Sequence, residues 1–201
     1  MTTSTPAVPA LILLDLQNEM VSTPAQGEPS PLAKAAQQRK VVEAAARALA
    51  AFRNTNRPVF HVRLGFRQDY ADSLSVAPRI ARLKQNRAAI LGTWGSEFPP
   101  ALQPAEGEFV VTKACVNPFF NTNLLSLLHK HGVTEVVLGG VATHMAVEST
   151  ARYADDAGFA VTVLEDCCAV ANPAWHQHSI ENILPLFGRV TSVDEMVAQL
   201  K

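Results

Sequence analysis

The chain has few of the features that mark specialised protein classes. It holds three cysteines in 201 residues, and none stands at zinc-type spacing. Cys167 and Cys168 are adjacent, a poor geometry for pairing with each other. Free thiols in a reducing cytoplasm are therefore expected. No apolar run reaches the roughly 18 residues of a transmembrane helix, so no membrane partner is expected. A dominant charge sign is also missing. The 17 Lys and Arg face 18 Asp and Glu, a net charge of −1. The basic residues are scattered, which argues against a nucleic-acid partner. Internal repeats and linker-like stretches are absent as well, so one domain over residues 1–201 is expected. Met1 to Pro9 is rich in Thr and Pro without a basic region, and reads as a flexible tail rather than a signal peptide.

What is present is apolar content of 48%, enough to bury a substantial core. Ala10–Leu14 is apolar at every position, as expected of a central strand covered on both faces, and Asp15 follows at its carboxyl end. Ser22–Pro31 reads as a loop, and the Ala-rich stretch Leu32–Asn54 as a helix. Pro58–Leu64 and Glu108–Lys113 are the next strands. Helix follows over 121–130, strand over 135–138, helix over 144–157, strand over 160–166, helix over 173–187, strand over 189–193 and helix over 194–200. Residues 65–91 are locally basic and partly helical, without assignable boundaries. Six strands alternating with helices predict a doubly wound α/β domain, its sheet mostly parallel, with helices on both faces.

In such a sheet, ligands bind beyond the carboxyl ends of the strands. Asp15, Lys113 and the Gly139–Ala146 turn all fall there. A strand that ends in glycines and turns into a helix leaves backbone N–H groups free for an anion or a developing oxyanion. By itself a Gly-Gly turn is more often plain connection; the acid and the lysine change its weight.

These residues carry a resemblance to the isochorismatase-like (cysteine hydrolase) family over essentially the whole chain. Leu14-Asp15-Leu16-Gln17-Asn18 is similar to the family's D-x-Q segment, and Val111-Thr112-Lys113 to its lysine strand. Gly140 to Ala151 resembles its G-x-x-T-x-x-C-V-x-x-T-A segment. The departure is Ala146, which stands where the resemblance puts the nucleophilic cysteine. Alanine offers no nucleophilic atom, so amide hydrolysis through a thioester has no starting point there. Cys115 shares the end of the lysine strand, but small buried thiols are commonly inert.

The resemblance implies three readings. In the first, Asp15 and Lys113 act without a cysteine on a small, anionic substrate, as in isochorismatases, which cleave a vinyl ether to pyruvate and a dihydrodiol. Asp15 would be the general acid, its pKa raised by burial, and Lys113 would position it or the substrate. The N–H groups of Ala142 and Ala146 would hold a substrate oxygen. The second reading is a pseudoenzyme, a binding or scaffold protein on the same fold. The third is a disarmed or engineered C–N amidohydrolase. The resemblance also implies a non-proline cis peptide at Val141–Ala142 and a homodimer or homotetramer. The family's metal-binding members use an Asp-x-His pair after strand two; His61-Val62-Arg63 offers no such pair, so neither a catalytic metal nor another cofactor is expected.

Other residues have a functional and a structural reading. Gln17 could bond substrate or fix its loop. Arg63 or Arg67 could take a carboxylate bidentately, although solvated arginines are the default. His144 could face substrate, solvent or a subunit. Phe120, with Trp94 and Phe119, could wall a pocket or belong to the core. His176 and His178 are expected to be exposed, and Glu148 and Arg152 to pair at i,i+4.

Overall fold

A computed structural model describes residues 7–200. Residues 1–6 of the expected tail lie outside the described residues. The rest of that expectation is corrected: the Val8 N–H donates to Thr134 Oγ1 at 2.9 Å, and Pro9 already belongs to the first strand.

That strand, β1 (Pro9–Leu14), is buried at every position. Side chains alternate along it, as strand geometry requires. Leu11 and Leu13 enter one apolar cluster, Ala10, Ile12 and Leu14 the other. A short turn, α1 (Asn18–Val21), follows. The single helix expected over 32–54 is two helices, α2 (Pro31–Gln38) and α3 (Val41–Asn54). The break falls at Lys40, whose φ is 56°. No Gly or Pro marks it. Arg39, just before it, donates from Nε to the Cys168 carbonyl at 2.9 Å and pairs with Glu165 at 2.8 Å. Partners 126 or more positions away thus decide a local bend. Pro31 and the Ser30 cap on Ala33 N–H start α2. Ala44, Ala45, Ala48, Leu49 and Phe52 form the buried stripe of α3.

Next come β2 (Val59–Leu64), α4 (Pro78–Gln85), β3 (Phe109–Lys113), α5 (Leu124–Lys130) and β4 (Glu135–Val141). After β4 a widened π turn over Thr143–Val147 leads into α6 (Glu148–Asp156). β5 (Ala160–Ala169) is longer than expected, because its register shifts opposite Leu138 and Gly140 and the strand resumes beyond the polar Glu165-Asp166. The helix expected over 173–187 is α7 (Pro173–His178), a π segment to Ile183 and a 3₁₀ turn around Pro185. β6 (Arg189–Thr191) and α8 (Val193–Gln199) close the chain, with a Ser192–Glu195 capping box between them.

The six strands run in the order β3-β2-β1-β4-β5-β6, every neighbouring pair parallel. α2, α3 and α8 cover the face that carries Leu11 and Leu13; α5, α6 and the segment containing Leu184 cover the other. The expected doubly wound α/β sheet is present. The order reverses between β1 and β4, which opens a crevice at their carboxyl ends. Gly140 lets the two strands meet there. Its φ is +148°, and a Cβ would run into the Leu14 carbonyl and side chain.

Away from the crevice, Glu108 anchors the start of β3. It receives Arg53 Nε at 2.6 Å, the Ala105 N–H at 2.8 Å and His61 Nε2 at 2.8 Å. Burial pulls its carboxyl up, but these donors outweigh it and hold Glu108 at about 2, against an ordinary 4.5. The folded pKa is depressed, so the stabilisation is present above 4.5 and is lost as pH falls toward 2. Glu108→Gln is therefore expected to flatten acid unfolding between those limits by roughly 1–2 kcal/mol, solvent screening included. Urea titrations of both proteins across that range measure it; parallel acid curves would refute it.

Candidate active site

Three segments meet at the crevice. β1 delivers Asp15, whose φ of 56° turns the chain sharply as it leaves the sheet; Asp tolerates this left-handed conformation better than most residues. β3 delivers Lys113, which reaches across the end of β2. Its Nζ donates to Asp15 Oδ2 at 2.6 Å and to the Cys115 carbonyl at 3.1 Å. Both partners are sequestered, Asp15 7% and Lys113 2% exposed. Asp15 Oδ1 is buried without a hydrogen-bond partner among the described residues. Burial raises the Asp15 carboxyl, and the charge and hydrogen bond of Lys113 oppose the rise without cancelling it. β4 delivers the turn. The Val141–Ala142 peptide is cis. The Ala142 carbonyl accepts the N–H of Met145 at 3.0 Å and of Val147 at 3.5 Å, passing over that of Ala146.

Asp15, Lys113, Ala142 and Ala146 border one cavity of about 230 Å³. That is below the roughly 300–1,000 Å³ of drug-sized pockets. The rest of its wall is mainly apolar, with Met20, Leu64 and Met145 among the lining residues. Cys115 also lines it, but its thiol donates to the Asn117 carbonyl at 3.0 Å, and burial raises its pKa despite Lys113.

Five residues singled out as substrate contacts are not placed in this cavity. Gln17 is fully buried, its Nε2 on the Leu64 carbonyl at 2.9 Å and its Oε1 on the Leu64 N–H at 2.8 Å, so the backbone of β2 occupies both ends of its amide. Arg63 alternates away from Leu64 and bonds Thr112 Oγ1 at 3.1 Å, beside a separate depression near Phe98. His144 lies in another depression with Glu148 and Trp175, its ring 5.0 Å from the indole. Phe120 is 58% exposed and lines a neighbouring hollow that shares Lys113 and Cys115 with the cavity. Arg67 pairs with Asp69 at 3.1 Å instead.

Other expectations are also corrected. His176 is buried, not exposed, with Nδ1 2.9 Å from Thr143 Oγ1, which braces the turn from behind. Cys167 and Cys168 lie inside β5 rather than after it, and burial drives Cys168 up to about 12. The expected Glu148–Arg152 pair, by contrast, is present at 3.7 Å. Sequence reasoning missed Arg79 and Arg82, which line the cavity from α4. Pro78 at the helix start and the i,i+3 spacing of the two arginines were the available signals.

Among the described residues no cluster of three His, Cys, Asp or Glu side chains is disposed to hold a metal ion, and no helix is long and apolar enough to cross a membrane.

A parallel doubly wound sheet with a buried acid–lysine pair at its switch point places the chain among α/β proteins built to take small molecules at the strand ends. More narrowly, the chain belongs to the isochorismatase family of hydrolases, whose isochorismatase domain matches residues 9–195. It is 34% identical over 194 residues to the uncharacterized isochorismatase family protein YecD of Escherichia coli O157:H7, covering 95% of each chain. It is 32% identical to the ureidoacrylate amidohydrolase RutB of Pantoea ananatis, over 94% of this chain and 80% of RutB. An isochorismatase-like hydrolase from Alkaliphilus metalliredigens superposes with a TM-score of 0.81 at 28% identity, covering 97% of this chain and 100% of its own.

Proposed function

We propose that this isochorismatase-family protein hydrolyses a small, anionic substrate by cysteine-independent acid–base chemistry, with a vinyl ether as the reacting group. The observation that carries the reading is the buried Asp15–Lys113 pair at 2.6 Å, with Asp15 Oδ1 unpartnered among the described residues, in a cavity that Ala146 lines with only a methyl group. A retained acid and lysine beside a missing nucleophile suit a reaction that forms no covalent intermediate.

In this mechanism Asp15 is protonated and gives its proton to the terminal vinyl carbon, turning CH₂ into CH₃. Positive charge spreads over the adjacent carbon and the ether oxygen. Water adds to that carbon and returns a proton to the Asp15 carboxylate. The hemiketal then breaks its C–O bond, its hydroxyl proton passing to the departing oxygen, to give pyruvate and an alcohol. Lys113 favours the ionised carboxylate, which limits how tightly Asp15 keeps its proton. The Ala146 N–H, which the Ala142 carbonyl does not take, points to the role of holding a substrate oxygen.

Incubation of the purified protein with isochorismate, beside an Asp15→Ala control, tests this. Pyruvate release that vanishes in the control supports the vinyl-ether route; absence of release rejects isochorismate as the substrate. A second reading, the disarmed amidohydrolase, draws on the similarity to RutB. It expects Ala146→Cys to acquire hydrolysis of ureidoacrylate. Failure of both reactions favours the third reading, a binding protein on this fold.

A further inference from the structure

We infer that Arg79 and Arg82 of α4 form a carboxylate-binding subsite in the wall of the cavity, so that a carboxylate of the substrate is held on α4 while its reacting bond lies at Asp15. The inference deepens the proposed function and rests on its choice of cavity.

Three observations carry it. First, the charged residues of the wall are Asp15, Lys113, Arg79 and Arg82, three cations against one carboxylate. Lys113 is already engaged by Asp15 at 2.6 Å, so the uncompensated charge belongs to the arginines. Second, neither arginine has a carboxylate within 4.0 Å among the described residues. Arg39, Arg47, Arg53, Arg67 and Arg152 each have one; Arg57, Arg63, Arg87 and Arg189 also lack one but do not line the cavity. The polar contact of Arg79 is a single Nη1 bond to Ser75 Oγ at 3.3 Å, which leaves most of its guanidinium donors available. Third, α4 is held in place. Ile80 is buried with Phe66 and Tyr70, and the Tyr70 hydroxyl donates to the Leu83 carbonyl at 3.2 Å and to the Ala88 carbonyl at 2.6 Å. The i,i+3 pair is thus presented from a fixed helix face.

The chemistry follows from the layout. Arg79 and Arg82 lie in a different segment from Asp15, with apolar wall such as Leu64, Leu83 and Met145 also lining the cavity. A ligand that satisfies both ends has a short apolar body with a planar carboxylate on one side, the geometry a guanidinium fork binds best. A neutral ligand of the same shape leaves the two guanidinium groups as they are and forgoes the charge-assisted bonds.

Titration calorimetry with two matched probe pairs tests the subsite without requiring turnover: benzoate against benzyl alcohol, and cinnamate against cinnamyl alcohol. The expected result is that at least one carboxylate binds about 10-fold or more tighter than its alcohol, within the range of charge-assisted hydrogen bonds. The preference weakens with added salt. It disappears in the Arg79→Gln/Arg82→Gln double variant. No preference in the unaltered protein, or a preference that survives in the double variant, overturns the inference. The outcomes separate from those of the proposed function. A carboxylate preference without isochorismate turnover leaves the subsite standing and rejects isochorismate as the substrate. Turnover without the preference does the reverse.

Discussion

Asp15→Asn is expected to lower kcat/KM on isochorismate by about 10²–10⁴-fold, the usual contribution of a positioned general acid. Asn keeps the shape of the side chain and an acceptor for Lys113, but it carries no acidic proton. The loss should therefore come without unfolding, which circular dichroism and a urea titration check. The pH profile of the unaltered protein decides the role. Asp15 titrates above the ordinary carboxylate value of 3.8 because burial penalises its charge. If its protonated form is the active one, kcat/KM is level at low pH and falls as pH rises through that elevated pKa. A carboxylate acting as base gives the opposite limb, with activity lost on acidification. A profile that rises with pH would remove the general-acid assignment even if Asp15→Asn were inactive.

Lys113→Met is the second large effect, and it is read in stability. Met retains the apolar stem and removes the ammonium, leaving Asp15 buried without its counter-ion. Loss of one partner of a buried ion pair costs about 3–5 kcal/mol when the other stays charged. Asp15 can escape that cost by binding a proton, and without Lys113 its carboxyl rises further. A carboxyl whose folded pKa is raised contributes most to stability below its unfolded value, and the contribution disappears as pH rises through the folded value. The variant should therefore be strongly destabilised at pH 8 and much less so at pH 5. Urea unfolding at the two values measures the difference. An equal penalty at both would mean that Lys113 matters through packing or through the Cys115 carbonyl it bonds, and not through the charge of Asp15.

The outline of the sheet was legible because its signals are local. An unbroken apolar run gave β1, and β-branched residues before Gly139 gave β4. Asp15 and Lys113 were legible for the same reason: each is a charged residue at the end of an apolar strand. What escaped depends on contacts distant in sequence. Nothing near Lys40 says that the Ala-rich stretch must break; Arg39 turns there to reach β5. Gln17 looked free to meet substrate because its partner, the backbone of Leu64, lies 47 positions away. His144 was read from its nearness to the turn, but the π turn carries it to Trp175 and away from Ala146. Arg63 and His61 do share a strand face, but it is not the face that leads to Lys113. The two arginines at the cavity were hidden in a basic stretch whose helix boundaries the pattern did not reveal.

The buried amide of Gln17 has one more consequence. By accepting the Leu64 N–H and donating to the Leu64 carbonyl, it imitates a peptide unit and adds a side-chain rung to the sheet beyond the last backbone pairing of β1. That rung fixes the distance along the chain from Asp15 to the edge of β2 with no slack. Inserting or deleting a residue between 15 and 18 would slide the carboxylate off its lysine. The connection at 22–30 is mostly exposed, and a change in its length costs little. Insertions are therefore tolerated on that outer connection, while the segment that carries Asp15 is held to a single spacing.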